Sequence, residues 1–223
     1  MDNNAIGLFF HEFMKNEQAK TVRNYQELNH YAKKGAILFT GSSLMEQFPV
    51  CEYCADAYPG KLVYNRGIGG FTTDDFLKNI DTMLLDLEPS TVFINIGTND
   101  MSERFDGQDW MEHLLGNYET ILQMLKHRLP NTKVYMMAFY PVNPYVDAMA
   151  AQRMLKVRTK GNLALVNAAM EKLAVKYGYK FIDVNQGLTD ENGNLQASYT
   201  VEGVHMYAGA YHVVFENLKP YMD

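Results

Sequence analysis

Ala36-Ile37-Leu38-Phe39-Thr40-Gly41-Ser42-Ser43-Leu44 begins as an almost wholly apolar run and stops at a glycine and two serines. A strand with no polar face is covered on both sides, as in a parallel sheet. Comparable runs recur at residues 62–65, 91–96, 134–138 and 180–184. Between them the period changes to that of helices. Over 73–87, Phe76, Leu77, Ile80, Met83, Leu84 and Leu87 share one face, and Pro89 stops the run. Residues 110–129 repeat the pattern up to Pro130, 149–177 up to Gly178, and 209–218 read as a last helix. Residues 1–34 read as one or two amphipathic helices outside this alternation. Alternating strand and helix predicts a doubly wound α/β sandwich of about five parallel strands. With no repeat or linker, residues 1–223 read as one domain, with 1–34 as an N-terminal helical extension.

Composition narrows the function. The chain of 223 residues is 47% hydrophobic and carries a net charge of −6, which argues against nucleic acid as a partner. No apolar run approaches the roughly 18 residues that span a bilayer, so stable membrane insertion is not expected. Residues 1–15 lack a basic leader and a cleavage site, and a cytoplasmic location is expected. Cys51 and Cys54 form an isolated C-x-x-C, read as two ordinary thiols rather than a zinc or redox site.

In such folds, ligands sit beyond the carboxyl ends of the strands. Gly41-Ser42-Ser43-Leu44 follows the first strand, and Asn65-Arg66-Gly67-Ile68-Gly69-Gly70 the second. Gly97-Thr98-Asn99-Asp100 follows the third, and Glu202-Gly203-Val204-His205 stands near the C-terminus. Together they hold the parts of an acyl-transfer site. A serine hydroxyl needs a base to take its proton, and a histidine suits that task near neutral pH. A carboxylate fixes the imidazole tautomer. Glu202, three residues before His205 with a glycine between, can share one side of a tight turn with it. The N–H groups of Ser43 and Gly70 and the amide of Asn99 are candidates to hold an oxyanion. Taken singly, Ser43 reads as a helix cap, Asn99 as a turn residue, and Gly67, Gly69 and Gly70 as a phosphate cradle. The nucleophile elbow G-x-S-x-G of α/β-hydrolases is absent.

The four blocks T-G-S-S-L, N-R-G-I-G-G, G-T-N-D and V-E-G-V-H, in that order, resemble those of the SGNH hydrolases, the GDSL lipase/acylhydrolase family. They span Thr40 to His205. The resemblance implies a flavodoxin-like three-layer α/β/α sandwich and serine chemistry that needs no metal or other cofactor. It also implies an oxyanion hole from Ser43, Gly70 and Asn99. Two positions depart from the family pattern. Ser42 stands where Asp usually precedes the serine, and Glu202 stands where the triad acid is usually Asp. Beside these two, Phe71 stands where a polar residue is common after the second block.

The expectation is a serine esterase with Ser43 as nucleophile, His205 as base and Glu202 as acid. Its substrate would be a small-molecule or carbohydrate O-acyl ester, foremost O-acetyl. Residues expected to line the substrate are Ser42, Leu44, Met45, Phe71, Tyr140 and Met206. An O-acyltransferase or lysophospholipase using the same site, a non-catalytic binding module, and assembly into a homo-oligomer stay open.

Overall fold

The computed structural model describes residues 3–104 and 106–222; Met1 and Asp2 of the expected 1–34 extension lie outside it. The chain starts as one long helix, α1 (Asn3–Asn29). Strand β1 (Ile37–Gly41) leads into a single-turn helix, α2 (Ser43–Glu46), and then α3 (Val50–Ala57). After β2 (Val63–Gly67) come α4 (Thr73–Lys78) and α5 (Ile80–Met83). Then follow β3 (Thr91–Asn95), α6 (Trp110–Arg128), β4 (Lys133–Met137), α7 (Ala148–Met154) and α8 (Lys160–Tyr177). The chain finishes with β5 (Lys180–Ile182) and α9 (Ala208–Leu218).

The five strands pair in parallel in the order β2-β1-β3-β4-β5, the doubly wound flavodoxin-like order. Ile37 aligns with Val63 on one side and Thr91 on the other, so Gly41, Gly67 and Asn95 reach the same sheet edge.

The unbroken apolar runs feed two cores. Leu38, Val92, Ile94 and Met136 face one layer and pack with residues of α4, α5, α6 and α8. Phe39, Phe93, Tyr135 and Met137 face the other and pack with α3 and α9. On that side the rings of Phe39 and Phe93 stack at 4.7 Å, and those of Phe93 and Tyr135 at 4.9 Å. Full burial of each such side chain stabilises the sheet by about 1.5–3 kcal/mol.

Three expected elements differ. The helix expected over 73–87 breaks at Asn79, whose Nδ2 donates to the Asp75 carbonyl (2.8 Å) and ends α4. The helix expected over 149–177 is two helices. Thr159 caps α8 by accepting the Asn162 N–H, and Leu155 and Arg158 turn inward between the helices. The last strand stops at Ile182, where Asp183 accepts the Asn185 N–H in a turn. No described helix is long and apolar enough to cross a membrane.

Candidate active site

Ser43 is the first residue of α2, directly beyond β1, so its N–H has no acceptor within the helix. Its Oγ lies 2.9 Å from Nε2 of His205. The other ring nitrogen, Nδ1, lies 2.6 Å from Oε1 of Glu202, which also accepts the His205 backbone N–H at 3.0 Å. The three side chains therefore form one chain of contacts across 162 residues of sequence.

A tight loop makes this possible. The Thr200 hydroxyl donates to the His205 carbonyl and accepts the Gly203 N–H, both at 2.8 Å. Gly203 has φ +103°, and a Cβ there would sit 2.2 Å from the Asn143 carbonyl oxygen. Only glycine fits, and the turn it allows brings the longer glutamate back onto its own histidine.

The oxyanion candidates converge on the same edge. Residues 68–71 form a turn, with the Phe71 N–H bonded to the Ile68 carbonyl and Gly70 at φ +75°. A third residue at positive φ marks a type II turn and favours glycine. Asn99 stands in a 3-10 turn, Thr98–Asp100, beyond β3. Its Nδ2 donates to the Phe71 carbonyl (2.9 Å), and its Oδ1 accepts Nη2 of Arg158 (3.1 Å). The amide is thus held at both ends, with one Nδ2 hydrogen left over.

Three further residues support the site; Asp100 stands in the third block, whereas Arg158 and Gln18 carried no signal in the sequence. Arg158, 7% exposed, also donates to the Thr98 carbonyl at 2.6 Å. Burial pulls its pKa down to about 10, so the guanidinium stays charged near neutral pH. Gln18, on α1, donates from Nε2 to the Gly69 carbonyl at 2.7 Å. Asp100 accepts the Thr73 N–H and hydroxyl and ties the third block to the start of α4. Burial pushes its carboxyl up to about 6.

The residues expected to line the substrate lie in the interior. Leu44, Met45, Tyr140 and Met206 belong to the core on the α3 and α9 side, and Phe71 to the opposite core. Ser42 is also buried, and its Oγ has no hydrogen-bond partner among the described residues. Cys51 and Cys54 are free thiols on α3. A cavity of about 690 Å³ meets the site only through Arg158, the partner of Asn99, and is lined also by Asn143, Lys160, Asp190, Asn192 and Asn194.

The chain is similar to known proteins in sequence and in fold. A model of the GDSL-like lipase/acylhydrolase family matches residues 39–213. The chain is 23% identical over 180 residues to the platelet-activating factor acetylhydrolase IB subunit alpha2 of Rattus norvegicus, covering 80% of this chain and 72% of that one. A solved structure from Streptococcus pneumoniae, described as a platelet activating factor, superposes with a TM-score of 0.87 at 29% identity, over 100% of both chains. A GDSL-like lipase from Bacteroides thetaiotaomicron shares the fold, with a TM-score of 0.73 at 22% identity over 90% of this chain and 96% of that one.

Proposed function

The chain belongs to the GDSL-like lipase/acylhydrolase family of carboxylic-ester hydrolases, and we propose that it cleaves small O-acyl esters, foremost O-acetyl esters, through an acyl-enzyme on Ser43. The observation that carries the mechanism is the contact of Ser43 Oγ with His205 Nε2 at 2.9 Å, backed by Glu202 at 2.6 Å from Nδ1. His205 takes the hydroxyl proton as Ser43 attacks the ester carbonyl. Glu202 holds the ring with Nε2 facing the serine and stabilises the imidazolium. The N–H groups of Ser43 and Gly70 and the free Nδ2 hydrogen of Asn99 stabilise the oxyanion. The tetrahedral intermediate collapses, the C–O bond to the alcohol breaks, and the alcohol leaves with the proton from His205. Water then attacks the acyl-enzyme by the same route and releases the carboxylic acid and Ser43.

Two observations favour a short acyl group and a polar alcohol. Leu44 and Met45, next to Ser43, are packed into the core, where a long acyl chain would need a channel. The cavity that Arg158 shares with Asn99 also presents Lys160, Asp190, Asn192 and Asn194, a lining suited to a sugar or another hydrophilic alcohol. An acetyl group is also what the curated relatives' name, acetylhydrolase, specifies. The same cavity can seat an acceptor alcohol, which would make the chain an O-acyltransferase. Incubating acetylated sugars with the enzyme, with and without an acceptor sugar, separates the two. Free acetate in both cases supports hydrolysis, and acetyl transfer that depends on acceptor supports the transferase. The free thiols Cys51 and Cys54 suit a reducing, cytoplasmic setting.

A further inference from the structure

We infer that Gln18, on the N-terminal helix, sets the orientation of the Gly69–Gly70 peptide and thereby aims the Gly70 N–H at the oxyanion; this rests on the reading of Ser43 as the nucleophile. The Gly69 carbonyl and the Gly70 N–H belong to one peptide unit, which is planar and trans. They therefore point in opposite directions, and whatever holds the carbonyl fixes where the N–H looks. Gln18 Nε2 holds that carbonyl at 2.7 Å.

The turn makes such a hold necessary. Type I and type II turns differ by a flip of the central peptide, and glycine at both central positions leaves the barrier to that flip low. Gly70 at φ +75° puts the turn in the type II state. The Glu46 carboxylate packs against the other side of Gly69, where a Cβ would sit 2.8 Å from its Oε2. The Gly70 N–H has no hydrogen-bond acceptor among the described residues.

Stability alone is a poor explanation for Gln18. The residue is 8% exposed, yet its Oε1 has no hydrogen-bond partner among the described residues. A buried acceptor left unmade is costly, and an apolar side chain at this place would avoid that cost. What an apolar side chain lacks is the donor to Gly69. Residue 18 also precedes the segment 39–213 matched by the family model.

The test compares Gln18→Leu and the near-isosteric Gln18→Glu with Tyr25→Phe. Tyr25 donates from the same helix to the Gly67 carbonyl at 3.0 Å, and so reports the loss of a similar bond to a different peptide. The readouts are kcat and KM on p-nitrophenyl acetate, the rate of serine labelling by a fluorophosphonate, and Tm. In both Gln18 variants kcat should fall ~10- to 100-fold with KM within about threefold, and labelling should slow in parallel. Tyr25→Phe should keep kcat within about twofold. Wild-type kcat in a folded Gln18→Leu overturns the inference. So does an equal loss in Tyr25→Phe, which would mean that the helix merely braces the loop. Full activity in Ser43→Ala overturns the serine reading and this inference with it. An inactive Ser43→Ala beside an unaffected Gln18→Leu overturns this inference alone.

Discussion

Oε1 of Glu202 accepts two hydrogen bonds from one residue, His205: one from Nδ1 at 2.6 Å and one from the backbone N–H at 3.0 Å. The carboxylate therefore fixes the ring and the peptide that carries it together. Glu202→Gln should fold normally and lose roughly 10²- to 10⁴-fold in kcat, because the amide can present the wrong partner to Nδ1. Glu202→Asp should recover part of that loss. Ester turnover of the two variants checks this, and a Gln variant as active as wild type would mean that Ser43 and His205 work without the acid.

Asn99 is held by Phe71 and Arg158 so that one amide hydrogen stays free. Asn99→Ala should lower kcat by roughly 10²- to 10³-fold, about 3–4 kcal/mol of transition-state stabilisation, with little change in KM. Steady-state kinetics on one short ester decides it, and unchanged turnover would remove Asn99 from the oxyanion hole.

Gly203 permits the turn that joins acid and base. An alanine there meets the Asn143 carbonyl and must hold φ near +103°. Gly203→Ala should cost several kcal/mol of stability or, where the chain still folds, sharply reduce kcat by moving Glu202 off His205. Thermal melts and turnover measured together test it. Wild-type values for both would contradict the tight-loop geometry.

Much of this was legible in advance because it lies in local pattern. Unbroken apolar runs such as Ile37–Gly41 signal strands covered on both faces, and the first three blocks fall at the carboxyl ends of β1, β2 and β3, while the fourth lies in the loop before α9. The helices expected over 73–87 and 149–177 were read as continuous because their apolar period runs on past Asn79 and Thr159, where a polar side chain competes with the backbone and the helix breaks. Gln18 and Arg158 were illegible for a different reason. Each is an ordinary helix-compatible residue whose partner, Gly69 or Asn99, is 51 or 59 positions away, and no spacing encodes that meeting. Leu44, Met45 and Met206 carried the opposite difficulty, since apolar residues beside a site read alike whether they touch substrate or core.

Asp100 supplies a pH dependence. Burial pushes its carboxyl up to about 6 although Thr73 donates to it. Held above the unfolded value of about 3.9, it binds its proton more tightly in the folded chain. Its contribution to stability is then full below about pH 4 and is lost as pH rises through about 6, about 3 kcal/mol in all. Asp100→Asn should flatten that part of the stability profile. Urea midpoints from about pH 4 to about pH 7 check it, and an unchanged slope in the variant would place the proton elsewhere.

The most direct measurement is hydrolysis of p-nitrophenyl esters from acetate to laurate by wild type and Ser43→Ala side by side. Turnover of the short esters that disappears in Ser43→Ala, and that falls with acyl length in the wild type, is the expected result. Equal turnover by both proteins at every chain length would contradict the assignment of Ser43 as the nucleophile.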